Sequence, residues 1–81
     1  MEVGYACLGI KPGFCKKAIT QLKNIAGVKE ARIVIGIFDA VARVEAETVK
    51  ELEAIYFNEV EKIPDLVSAR LYLVACPRTR K

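Results

Sequence analysis

Few residues in this sequence are able to do chemistry, and their types narrow what that chemistry can be. Histidine is absent, which removes the commonest general base and the commonest metal ligand together. Cysteine occurs at Cys7, Cys15 and Cys76 only. With no CxxC or related spacing, these read as reduced, buried small side chains rather than a metal set. Neither a metal nor a cofactor is implied. Most acids fall on helix surfaces or in turns, and Glu45 is placed to pair with Arg43 or Arg32. The acid that stands apart is Asp39, which closes Gly36-Ile37-Phe38-Asp39. A glycine that admits close backbone approach, followed by a carboxylate at a strand start, can hold the ammonium group of a small ligand. Ile37 and Phe38 would then supply apolar contact. The same four residues also make an ordinary hairpin turn, in which Asp39 bonds the loop backbone.

The elements that must position this turn follow from periodicity. Residues 3–10 read as a strand closed by Lys11-Pro12-Gly13. Across residues 14–26 the apolar positions Phe14/Cys15, Ala18/Ile19, Leu22 and Ile25/Ala26 form a helical stripe, with Gly27 where a helix-ending glycine belongs. Residues 28–35 are β-branched and strand-like, and residues 40–46 alternate as a strand after the turn. Thr48-Val49-Lys50-Glu51 fits a helix capping box. The helix it opens places Val49, Leu52, Ile55/Tyr56, Val60 and Ile63 on one face, and Pro64 ends it. Residues 66–76 form a last strand, before a basic tail at 77–81.

The order is βαββαβ, and its halves resemble each other. Ile25, Ala31 and Arg32 recur as Ile63, Ala69 and Arg70 at a constant offset, as expected of two βαβ halves. The fold class is α+β, ferredoxin-like: a four-stranded antiparallel sheet with two helices on one face. Right-handed crossovers would place the first and third strands centrally, parallel to each other. One domain accounts for residues 1–81.

Composition bears on what such a domain does. The chain has 81 residues and is 53% hydrophobic, on the apolar side for a small domain that can bury only about 60–65% of its unfolded surface. No stretch approaches the roughly 18–20 apolar residues of a spanning helix, and the N-terminus lacks a secretory basic region. A cytoplasmic location is expected. One glutamine and two asparagines in an Ile/Val/Lys/Glu-rich chain hint at a thermophile. The net charge of +3 is too slight, and its charges too interspersed, for specific DNA binding by this chain.

Alternation assigns Ala6, Leu8, Ile10, Ile33, Ile35, Ala42, Val44, Leu71 and Leu73 to the helix-covered sheet face. The opposite face carries Tyr5, Cys7, Val34, Val41, Tyr72 and Val74, with Arg32, Arg43 and Arg70 and Glu45 as its acid. Apolar residues at the middle of an uncovered face, with tyrosine and arginine around them, are the composition of an interface core. A face-to-face dimer through Tyr5, Val34, Arg43, Glu45 and Tyr72 is expected.

Taken together, Ile10-Lys11-Pro12-Gly13, Ile25-Ala26-Gly27-Val28-Lys29-Glu30, Gly36-Ile37-Phe38-Asp39 and Ile63-Pro64-Asp65 resemble the effector-binding RAM domain of the Lrp/AsnC family of transcription regulators. The resemblance covers nearly the whole chain. It implies a non-enzymatic sensor whose domains dimerise through their sheets, assemble further into rings, and bind free amino acids between dimers. Carried over, Gly36 offers backbone approach and Asp39 meets the α-ammonium. Two features depart from the family pattern. The first strand starts at Val3, which leaves no room for a helix-turn-helix. Ile35, Ala69 and Leu71 stand where relatives often carry hydroxyls. The reading is a stand-alone amino-acid-binding and oligomerisation module that modulates full-length regulators by mixed assembly. An ACT-like regulatory subunit of an amino-acid metabolic enzyme is the alternative, and a small dimeric-barrel monooxygenase is disfavoured by the missing His and Trp.

Overall fold

The computed structural model describes residues 1–74; Cys76 and the basic tail lie outside the described residues, as does the expected extension of the last strand to Cys76. The chain runs through β1 (Glu2–Ile10), α1 (Cys15–Lys23), β2 (Val28–Ile33), β3 (Ala40–Ala46), α2 (Val49–Ile55), a π-helical turn (Tyr56–Val60) and β4 (Leu66–Leu73). The sheet order is β2-β3-β1-β4, and every neighbouring pair is antiparallel. This is the ferredoxin-like architecture expected from the element order. The expectation that β1 and β3 run parallel is corrected. The α1 crossover brings the chain back so that β1 and β2 share a direction, and the β2–β3 hairpin then reverses it.

The helices cover one face of the sheet. Leu8, Leu22, Leu52, Val44 and Val60 are fully buried, among Ala6, Ala18, Ala31, Ala40 and Ala42. Alanines at so many central positions let the helices approach the strands closely. Ile33, Ile35 and Leu73, assigned to this face by alternation, are exposed. The nine residues of α1 span only about 14 Å, whereas β2 and its continuation to Ile35 rise well beyond that. The helix therefore runs out before the strand does. Leu73 ends an edge strand, while α2 packs on β3 and β1.

The second helix is not uniform. Leu52, Tyr56 and Val60 are all buried, and they recur every four residues, a spacing longer than the α-helical turn. The wider π turn keeps all three aimed at the sheet, and it closes with Glu61 N–H donating to the Tyr56 carbonyl at 2.9 Å. At its start, Thr48 Oγ1 accepts from Glu51 N–H at 3.1 Å, which forms one arm of the expected capping box.

The internal repeat has a backbone counterpart. Gly27 has φ 99°, and Asp65, its equivalent in the second half, has φ 73°. Both helix-to-strand turns therefore use a left-handed residue at the same place. At Gly27 the space is also needed, because a Cβ there would lie 2.7 Å from Ile55 Cδ1.

Candidate functional site

The turn between β2 and β3 is fixed from one end. Val34 N–H donates to the Asp39 carbonyl at 2.9 Å, and Asp39 N–H donates to the Leu8 carbonyl at 2.8 Å. The β1–β3 ladder ends at the Leu8–Ala40 pair. Beyond it the next donor of β1, Ile10 N–H, has no β3 backbone to meet. Asp39 replaces that backbone with its side chain, and Oδ2 accepts from Ile10 N–H at 2.8 Å. The hydrogen-bonding role of the turn aspartate is thus present, directed at β1 rather than at its own loop. Oδ1 takes no hydrogen bond among the described residues.

Gly36 sits at the tip with φ 154°, and nothing lies within 4 Å of where its Cβ would be. Ile35 and Ile37 flank it and are fully exposed, while Phe38 and Asp39 are half-buried. The turn therefore brings together a carboxylate with one free oxygen, an open glycine backbone and unburied aliphatic side chains. Within one chain, Ile35 and Ile37 meet nothing that would cover them.

The outer sheet face is continuous across three strands. Tyr5 lies opposite Arg43 of β3 on one side and Tyr72 of β4 on the other, and Val3 lies opposite Glu45. Tyr5 is 40% and Tyr72 53% exposed, high for tyrosines at the centre of a sheet. Arg43 Nε stands 3.4 Å from Glu45 Oε2, the ion pair expected of Glu45, although Nε itself is buried and makes no hydrogen bond. A shallow cleft of about 260 Å³ is lined by Tyr5, Val34, Val41 and Arg43, with Glu30 and Arg32 at its rim.

Glu30 was not foreseen on this face. It hydrogen-bonds Arg32 two residues on, and this bond holds the Glu30 carboxyl below its ordinary range and the Arg32 guanidinium above its own. The face thus carries a second acid, legible from the same alternation that places Arg32. Cys7, expected to be buried, is half-buried on this face, and burial pushes its thiol up. Cys15 is also half-buried. Among the described residues, no helix is long and apolar enough to cross a membrane.

The same architecture recurs in solved structures. The crystal structure of FFRP-DM1 superposes with a TM-score of 0.86 at 23% identity, over 93% of this chain and 100% of that one. Escherichia coli AsnC does so with a TM-score of 0.84 at 17% identity, over 93% of this chain and 51% of AsnC. It has the RAM fold of the Lrp/AsnC regulators. The feast or famine regulatory protein of M. tuberculosis, solved with L-methionine, gives a TM-score of 0.76 at 16% identity, over 94% of this chain and 51% of its own. The RAM-like chain thus spans the whole of FFRP-DM1 but about half of the other two. No protein-family model and no curated protein matches the sequence.

Proposed function

We propose that this chain is a stand-alone effector-binding and oligomerisation module of the cytoplasm, one that modulates Lrp/AsnC-type regulators by mixed assembly and has no DNA-binding unit or enzymatic activity of its own. Its effector is a free amino acid, held at the turn by Gly36, Ile37, Phe38 and Asp39. The observation that carries this reading is the divided carboxylate of Asp39. Oδ2 is anchored on Ile10 N–H, which orients the group, and Oδ1 is left for an ammonium. Beside it, Gly36 leaves its peptide open to a ligand carboxylate, and Ile35 and Ile37 stand ready to be buried once a second copy closes over the turn.

Tyr5, Val34, Arg43, Glu45 and Tyr72 form the dimer interface in this reading. In support, they share one face, and the tyrosines at its centre remain exposed in the single chain. Association of relatives with L-methionine makes amino acids the ligand class to test first. The experiment is a thermal-shift screen over the twenty amino acids, since a ligand that binds the folded state raises its melting temperature by mass action. At least one amino acid is expected to stabilise the chain, and Asp39→Asn is expected to lose that response. If no amino acid shifts the melting temperature at millimolar concentration, the effector role is wrong. Sheets joined edge to edge rather than face to face would favour the ACT-like alternative.

A further inference from the structure

The helical layer is electrically divided. Between Val3 and Lys29 the sequence holds five lysines, at 11, 16, 17, 23 and 29, and no acid. Between Glu47 and Lys62 it holds five glutamates, at 47, 51, 53, 59 and 61, against Lys50 and Lys62. All of these side chains are exposed. In the fold, α1 packs on β2 and the second helix on β1 and β3, so the two charges come to opposite flanks of the molecule.

Each flank is concave. Along the β2 edge a groove of about 450 Å³ is lined by Lys23, Lys29 and Arg32, with Glu30 already committed to Arg32. Along the β4 edge a groove of about 420 Å³ is lined by Glu53, Glu61, Phe57 and Tyr72, with Arg70 its one base. Phe57 is half-exposed there and stacks edge-on against Tyr56 at 5.0 Å between ring centres. The opposed charges do not satisfy each other within the chain. The ion pairs among the described residues, Arg32–Glu30 and Arg43–Glu45, are both on the sheet.

We propose that these flanks dock on each other between copies, the basic α1/β2 flank of one chain seated against the acidic α2/β4 flank of the next. The occupant is a second copy because each groove is the charge complement of the other, with Phe57 as the apolar anchor of the contact. Such a contact is heterologous, joining unlike surfaces, so it propagates around a ring or along a filament rather than closing as a two-fold pair. It uses neither the outer sheet face nor the 36–39 turn, and therefore stands whether or not those act as proposed above.

The test is the mass of the full chain by light scattering, with two charge-reversed variants, Lys23→Glu/Lys29→Glu and Glu53→Lys/Glu61→Lys. Circular dichroism checks their folding, and Glu53→Lys alone replaces the second variant if that one does not fold. At about 50 mM salt the wild type is expected to exceed a dimer, and at about 500 mM to fall back, because exposed charge pairs are screened. Each variant alone is expected to need roughly tenfold or more protein to assemble. Mixing the two variants restores assembly, since the reversed flank of each then meets its complement on the other. A wild type no larger than a dimer at low salt overturns the proposal. So does an assembly unmoved by salt, as strand pairing through the β2 and β4 edges would give. Variants that assemble separately but not better when mixed overturn it too.

Discussion

Asp39 and Ile10 are joined across the end of the sheet, with the aspartate Oδ2 accepting the Ile10 N–H at 2.8 Å. The bond couples stability and any ligand role in one side chain, so a simple truncation confounds them. Asp39→Ala orphans the half-buried Ile10 donor and is expected to cost about 1–3 kcal/mol. That corresponds to a fall in melting temperature of several degrees for a domain this small. Asp39→Asn retains an oxygen for Ile10 and removes only the charge. It is expected to melt close to wild type while binding an amino acid about ten- to a hundredfold more weakly by calorimetry. Equal affinity for Asn and Asp would reduce the turn to a structural clasp.

Tyr5 and Tyr72 face each other across β1 and β4 on the uncovered side of the sheet. Tyr72→Glu puts an unpaired charge at the centre of that surface, where a partner sheet would desolvate it. The dimer dissociation constant is expected to rise at least about tenfold, read by sedimentation at several concentrations. A wild-type chain that sediments as a monomer at micromolar concentration would remove the basis of this expectation.

Much of the fold is legible in the sequence because burial on one sheet face imposes period two and the helices impose a longer one. Ala6, Leu8, Ala42 and Val44 were readable that way, as were Leu52 and Val60. Ile33 and Ile35 were not, because their exposure depends on how far α1 reaches along β2, a length that alternation does not carry. The π turn leaves a trace in the four-residue spacing of Leu52, Tyr56 and Val60, which a helical template absorbs as tolerance. At the candidate site, Gly36 and Asp39 announce a turn on their own. The partner of Asp39 lies 29 residues away on β1, and nothing local in the sequence singles out the Ile10 amide.

Gly27 and Asp65 hold equivalent turns, with φ 99° and 73°, but not with equal freedom. Gly27→Ala combines a left-handed backbone with a Cβ 2.7 Å from Ile55 Cδ1. It is expected to cost more than the roughly 1–2 kcal/mol of the backbone term alone. Asp65→Gly relieves the same kind of strain and keeps the Asp65 carbonyl that accepts from Lys11 N–H. Its stability is expected to change by less than about 1 kcal/mol, since the relief is offset by added freedom in the unfolded chain. Urea denaturation measures both, and a Gly27→Ala variant as stable as wild type would mean that Ile55 moves aside without cost.

Tyr56 carries a pH dependence that can be isolated. Burial, helped by the Glu61 carboxylate beside it, pushes its hydroxyl from an ordinary 10.0 up to about 12. A phenol whose folded pKa lies above its unfolded one holds its proton more tightly when folded. The stability it contributes is therefore complete below pH 10 and is lost as pH rises through 12. Tyr56→Phe keeps the ring in the core and cannot ionise. Lysines titrate over the same range in both proteins, so the informative quantity is the difference between them. Wild type is expected to be the more stable at neutral pH by about 1 kcal/mol, the worth of one hydrogen bond. That advantage is expected to narrow steadily above pH 10 in urea melts taken at stepped pH. Two stability curves that stay parallel through this range would show that the Tyr56 hydroxyl ionises equally in the folded and unfolded chain.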